Sequence, residues 1–300
     1  MTPHGKWPAA IIGSGDVGAD LIAKILRSGG PLTVAAVVGS EAGVDGLLAV
    51  PEFRDVRIVF DAGSAGAHRA NWAKLRDTGV RMLDLTPAAI GPFCVPAVNL
   101  DDHLDAPNLS MVTPDGQATV PIVAAVAQSG IVSYAESISS ISAEAVGPDT
   151  RAIVDDLTQT SVAAMQVVGG AQRGKAMLIL NPAVPPMLMR NTVYCLVAGE
   201  ADHQRIESDV LAMVDKVRSY IPGYRLKQRI QFETFSMGNP LYIPETGKFT
   251  GTRITVLLEV TGAADYAPVY AGHVDLMTAA AKTTAERIAA RATETAALPT

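Results

Sequence analysis

The chain has 300 residues, 48% of them hydrophobic and 18% charged, with a formal net charge of −6 at pH 7. That length and balance support a substantial buried core, in two domains or one large one. The acidic charge argues against the clustered basic surface of a nucleic-acid binder. No apolar run reaches the roughly 18 residues of a membrane span.

In chain order, Met-Thr-Pro-His-Gly-Lys-Trp leads straight into the first strand, and a cytoplasmic protein is expected. Apolar runs at residues 9–12, 34–38, 56–60, 81–84 and 108–112 predict strands. Segments 17–27 and 68–78 between them carry apolar residues at helical spacing. This is the rhythm of a parallel sheet with crossover helices. From about residue 131 the pattern changes, with strands expected over 132–141, 175–180, 191–196, 232–235 and 252–259 and helices over 149–168 and 204–220. An alanine-rich tail over 273–297 predicts a long helix that packs back on the first domain. The fold expected is α/β: a Rossmann-type parallel-sheet domain over 1–114, joined by the tail 271–300, and a mixed-sheet α/β domain for substrate and dimerisation over 115–270.

Cys94 and Cys195 are too few for a disulfide framework and have no CxxC or Cys/His metal spacing, so both are expected as small buried side chains and no metal is expected. His4, His68, His103 and His203 share no metal spacing either, and loop or helix surface explains each.

Ala-Ala-Ile-Ile-Gly-Ser-Gly-Asp-Val-Gly at 9–18 reads as strand, glycine turn and helix start, the arrangement that lays a dinucleotide pyrophosphate on a helix N-terminus. Gly13, Ser14, Gly15, Asp16, Val17 and Gly18 form the candidate cofactor turn. Its glycines provide a tight bend, close backbone approach and helix-on-strand packing. A bulkier residue at Gly15 is expected to block the pyrophosphate. Glu41 is the one acid near the end of the second strand able to hold a ribose, and no Arg lies there to meet a 2′-phosphate, which leans to NAD without excluding NADP. Ser64 lies in a small-residue turn after the third strand, at an edge where open α/β sheets bind ligands.

Several separated stretches resemble the acylating acetaldehyde dehydrogenase family: Val59-Phe60-Asp61-Ala62-Gly63-Ser64-Ala65, Leu83-Asp84-Leu85-Thr86-Pro87-Ala88-Ala89, Gly116-Gln117-Ala118-Thr119, Leu180-Asn181-Pro182-Ala183 and Tyr270-Ala271-Gly272. The resemblance runs from Ile11 to about Lys282. It implies a Rossmann domain with an α/β dimerisation domain, oxidation of acetaldehyde with NAD and coenzyme A, a homodimer, and association with an aldolase that passes on the aldehyde.

On that frame the chain departs from the family where the chemistry lies. Pro114 stands at the place of the nucleophilic cysteine, and Asp115 replaces the following glycine. The family's acid/base carboxylate falls at Asn191, whose amide cannot shuttle a proton. A nicotinamide-side asparagine falls at His273 and another pocket asparagine at Ile153. About twenty residues, a helix and a strand, are missing after the second strand, and with them goes the usual ribose-binding acid.

The expected activity is therefore a non-acylating NAD(P)-dependent oxidoreductase acting on a small carbonyl or imine substrate. His273 leads as proton donor, because histidine titrates near neutral pH, with Asp115 and Tyr194 behind it and Asn191 in the same site. The alternatives are a non-redox lyase, isomerase or cyclase that reuses the cleft without a cofactor, and a catalytically silent scaffold for an aldolase-type partner. Arg151 and Arg190 are candidates for binding a carboxylate or phosphate.

Overall fold

The computed structural model describes residues 6–147, 151–244 and 246–297. His4 and the start of the helix expected from Asp149 lie outside the described residues. The chain divides into two compact units, one comprising Met1–Thr113, Ala264–Pro268 and Val274–Thr300, the other Pro114–Ala263 and Val269–His273.

The first unit is built on five parallel strands in the order β2-β1-β3-β4-β5. These are β1 (Trp7–Ile12), β2 (Leu32–Val38), β3 (Ile58–Asp61), β4 (Arg81–Asp84) and β5 (Asn108–Ser110). Ala9, Ala10, Ile11 and Ile12 of β1 are fully buried, as are Ile58, Val59 and Phe60 of β3. A strand inside a parallel sheet has neither face in water, which is why these runs are apolar throughout instead of alternating. Helices α1 (Asp16–Ser28), α2 (Gly43–Leu48), α3 (Ala65–Leu75) and α4 (Pro96–Asn99) connect them. Glycine ends α1, with Gly29 in the left-handed region at φ +61°.

Two strands of this sheet leave out residues that the sequence places in them. Val56 stays outside β3, because a 3-10 turn over Pro51–Asp55 ends there. Met111 and Val112 stay outside β5, because Val112 turns to φ +61° and leaves the extended region. Helix α3 begins three residues ahead of expectation, at Ala65, because the Ser64 side chain caps it by accepting a bond from the Ala67 N–H at 3.2 Å. Nothing among the described residues pairs outside β2, so the sheet ends one strand short of the common 3-2-1-4-5-6 order. Val37 on that edge is 43% exposed.

A buried charge cluster, unforeseen in the sequence, ties α1 to the end of the chain. Lys24, 7% exposed, reaches Asp275 at 2.5 Å, Asp265 at 2.8 Å and Asp20 at 3.2 Å. Asp20 also accepts from the backbone N–H of Tyr266 and Ala267 and from the Thr278 hydroxyl at 2.6 Å. Burial alone would lower the Lys24 pKa, but bonds to Asp265 and Asp275 outweigh it and hold the ammonium above its ordinary value. The chain's last helix, α8 (Gly272–Ala297), which carries Asp275 and Thr278, also meets the first unit's loops through Arg287 to Asp101.

The second unit carries a six-stranded mixed sheet in the order β10-β13-β8-β6-β7, with β9 also on β13. Its strands are β6 (Val132–Ser142), β7 (Gly174–Asn181), β8 (Met189–Ala198), β9 (Tyr224–Leu226), β10 (Gln231–Phe235) and β13 (Gly251–Val260). A separate hairpin pairs β11 (Leu241–Ile243) with β12 (Gly247–Phe249). Helices α5 (Pro114–Ala127), α6 (Val154–Val167) and α7 (His203–Arg218) complete the unit. In β8 the buried Asn191, Val193, Cys195 and Val197 alternate with half-buried Arg190, Thr192 and Tyr194, the period-2 signature of two unlike faces. No helix among the described residues is long and apolar enough to cross a membrane.

Candidate functional site

In the first unit, β1 lies between β2 and β3, so the loops leaving these three strands meet at one carboxyl edge. The Gly13 N–H bonds to the Val38 carbonyl and the Ala62 N–H to the Ile12 carbonyl, each at 2.8 Å. The candidate turn Gly13–Gly18, Ser64 and Glu41 therefore share this edge.

The three glycines differ in what requires them. Gly13 has φ +107°, and a Cβ there would lie 2.7 Å from the Ala62 carbonyl oxygen. A Cβ on Gly18 would lie 2.0 Å from the Gly13 oxygen. Gly15 has φ −72°, and a Cβ would meet nothing within 4 Å. The protein's own packing thus requires the first and third glycines and leaves the second open. Gly15 is also the N-cap of α1 and supplies no side-chain bond to the first-turn amides. Such exposed amides, at the positive pole of the helix, bind anions. Ser14 and Asp16 are exposed and Val17 is half-buried. Glu41 is exposed three residues beyond β2, and Ser64 is committed to its capping bond.

Beneath this edge lies a second buried polar cluster. Asp61 and Asp84 close β3 and β4 in direct register, and both are fully buried. His68 of α3, expected on the surface, is 0% exposed between them. Its Nδ1 is 3.0 Å from Asp61 Oδ2, and its Nε2 is 3.6 Å from Asp84 Oδ2 and 3.1 Å from Asn108 Nδ2. An early position in α3, one turn past the cap, puts the ring over the strand ends, a placement that a surface reading of a small-residue loop overlooks. Asp61 also accepts from Asn71 Nδ2 at 2.8 Å and from the Gly63 N–H at 3.1 Å. Asp84 Oδ1 accepts from the Thr86 N–H and hydroxyl. Burial pushes the Asp84 carboxyl up to about 6, against the opposing pull of His68 and Thr86.

In the second unit, Pro114 is the first residue of α5. Its fixed φ and missing N–H suit that position, and it has no nucleophilic atom. Two residues earlier, Val112 is strained, since a β-branched side chain is rarely found at φ +61°. Asp115 is 3% exposed, and its Oδ2 accepts the Ser161 hydroxyl at 2.7 Å. A carboxylate thus already occupies the positive end of α5, where a thiolate would otherwise be stabilised.

Asn191 lies on the buried face of β8, directly opposite Ser139 of β6. Neither end of its amide has a hydrogen-bond partner among the described residues, and the Ser137 and Ser139 hydroxyls have none either. His273 is 8% exposed, and the neighbouring Gly272 packs its Cα against the Val260 carbonyl, where a Cβ would come within 2.6 Å. Tyr194 does not join this group. It is three residues from Asn191 on the same strand and so faces the opposite side of the sheet. There it lines a cleft of about 540 Å³ with Tyr134, Glu136, Arg173 and Arg253, and the Arg253 guanidinium lies 5.6 Å from its ring centre. Arg190 is engaged with Glu259 at 3.3 Å, and Arg151 donates to the Ala143 carbonyl. Cys94 and Cys195 are fully buried, and burial pushes both thiols up to about 12, so neither replaces the missing nucleophile.

One unit is a parallel sheet with a glycine turn and the other a mixed sheet, an α/β architecture of the Rossmann type. Solved structures agree at the level of fold: aspartate semialdehyde dehydrogenase II from Vibrio cholerae, in complex with ASA, matches with a TM-score of 0.61 at 11% identity over 95% of this chain and 98% of that one. The family profile described as "Prokaryotic acetaldehyde dehydrogenase, dimerisation" matches residues 115–268. A probable inactive acetaldehyde dehydrogenase 1 of Mycolicibacterium vanbaalenii is 57% identical over 314 positions, covering 99% of each chain. Acetaldehyde dehydrogenase 1 of Mycobacterium ulcerans is 54% identical, covering 97% of this chain and 92% of that one. The acetaldehyde dehydrogenase of Cupriavidus pinatubonensis is 51% identical, covering 95% and 97%. The chain belongs to the prokaryotic acetaldehyde dehydrogenase family. Because 314 aligned positions exceed this chain's 300, the Mycolicibacterium relative carries at least 14 residues that this chain lacks.

Proposed function

We propose that the protein binds a nicotinamide dinucleotide at the carboxyl edge of its parallel sheet and is a non-acylating NAD(P)-dependent oxidoreductase of small carbonyl or imine substrates, working as a homodimer. The observation that carries the dinucleotide reading is Gly15. Neither φ nor packing requires glycine there, and the open space above uncapped helix amides fits a pyrophosphate. Glu41 is the ribose partner available at that edge, and NADP stays open beside NAD.

When bound, the cofactor supplies hydride transfer. The chain contributes proton management and the exclusion of thioester chemistry. Pro114 offers no nucleophile, Asn191 cannot exchange a proton, and the imidazole of His273 is the group suited to protonate a reduced carbonyl oxygen near neutral pH. Asp115, which accepts the Ser161 hydroxyl, is the second group proposed to move a proton in that site. With a substrate in hand, His273→Ala is expected to lower kcat by about 10²-fold or more. Full turnover in that variant would remove histidine from the mechanism.

A second reading, a catalytically silent subunit beside an aldolase-type partner, is favoured by the Mycolicibacterium relative's description as probably inactive and by the coincidence of Pro114 with Asn191. Dinucleotide binding without turnover on any carbonyl or imine would support it.

A further inference from the structure

We propose that Asp61, His68 and Asp84 form a single-proton device that sets the turn under the dinucleotide edge, so that dinucleotide affinity follows the ionisation of Asp84. The inference rests on the dinucleotide reading and concerns how that site is regulated. Its basis is the hydrogen-bond pattern. His68 Nδ1 meets Asp61 Oδ2 and its Nε2 meets Asn108 Nδ2, so in the tautomer that donates to Asp61 and accepts from Asn108 the ring brings no charge to Asp84, whose Oδ2 has no hydrogen-bond partner among the described residues. An unpartnered buried carboxylate oxygen takes up a proton, and this one lies 3.6 Å from His68 Nε2. With that proton on Asp84, Asp61 is the one charged carboxylate of the cluster.

Losing that proton leaves two carboxylates in register at the ends of neighbouring strands, a spacing of about 4.8 Å, with no cation between them. The charged groups that meet His68 are Asp61 from β3 and Asp84 from β4. Strand β5 contributes neutral Asn108, and α3 adds neutral Asn71 on Asp61. Of the nearby cations on α3, Arg69 is spent on the Ala88 carbonyl and Lys74 on Asp45. Repulsion is then relieved through the parts each carboxylate holds. Asp61 fixes the Gly63 N–H, next to Ala62, whose carbonyl packs against Gly13, and to Ser64, which caps α3. Asp84 fixes Thr86.

The test is calorimetric titration of the full chain with NAD⁺ and NADP⁺ from about pH 5 to 8, beside thermal unfolding over the same range. Affinity is expected to fall about fivefold as pH rises through the transition, a small but ordinary coupling, and to lose that step in Asp84→Asn. In Thr86→Val, which removes one bond that favours the ionised carboxyl, the step is expected to move to higher pH; a purely structural role would not shift it. A pH-independent affinity in the wild type, or the same step in all three proteins, overturns the proposal. Absence of binding at every pH overturns the dinucleotide reading and the coupling with it. A pH step in unfolding that Asp84→Asn abolishes, alongside a flat affinity, shows the cluster titrating uncoupled and overturns this inference alone.

Discussion

Gly15 and Gly18 sit three residues apart in one turn, and the structure assigns them opposite sensitivities. Alanine at Gly18 would press its Cβ to 2.0 Å from the Gly13 carbonyl oxygen, and neither backbone can yield without moving α1 off β1. Gly18→Ala should cost about 3 kcal/mol or more, whereas Gly15→Ala should cost under about 1 kcal/mol. Denaturant midpoints of the two variants check this. Asp84 gives a second prediction with a definite sign. Its carboxyl is raised in the native state from 3.8 to about 6, so the native state binds the extra proton. The stabilisation is complete below about pH 4 and lost as pH rises through about 6, a difference of about 3 kcal/mol. Stability of Asp84→Asn measured against wild type across that window should lack this fall; parallel profiles would show that the carboxyl is not perturbed.

Helix α1 is both the wall of the candidate cofactor edge and the anchor for the end of the chain. Lys24 neutralises part of the charge on Asp20, Asp265 and Asp275, and its removal leaves those carboxylates crowded and underpaired. Lys24→Met should therefore destabilise the protein by about 3–5 kcal/mol, read as a lowered unfolding midpoint. At this scale the sequence was legible wherever periodicity or a turn motif spoke locally. The five parallel strands, the glycine turn and the alternation of β6 and β8 all follow from patterns within a dozen residues. The Lys24 cluster was not legible, because Asp20 and Lys24 look like an ordinary i,i+4 surface pair until residues 265 and 275 arrive from the far end of the chain. His68 was misjudged for a related reason: its partners close two different strands. Tyr194 was grouped with Asn191 although strand parity, visible in the sequence, already separates them by face.

For the molecule as a whole, the family frame persists with Pro114 and Asn191 where the resemblance puts the nucleophile and the acid/base carboxylate, and on the proposed reading these two substitutions reinforce one another. Restoring the nucleophile alone, as Pro114→Cys, places a thiol at the start of α5 directly before the buried Asp115. A neighbouring carboxylate disfavours the thiolate, and Asn191 still cannot move the proton. Acetyl-CoA formation from acetaldehyde, NAD⁺ and coenzyme A should stay at background in that variant, and substantial turnover would mean that the rest of the site is competent. The shortened sheet belongs to the same account, since among the described residues β2 stands as an edge and Glu41 is the acid that follows it most closely in sequence.

Everything proposed for this chain depends on whether it still takes a dinucleotide. The direct measurement is calorimetric titration of the full chain with NAD⁺, NADH, NADP⁺ and NADPH, run beside Gly15→Val. Saturable binding of at least one dinucleotide is expected, weakened at least about tenfold, or about 1.4 kcal/mol, in a Gly15→Val protein that unfolds at the wild-type temperature. No binding of any of the four by the wild type, or equal binding by the variant, would contradict the account.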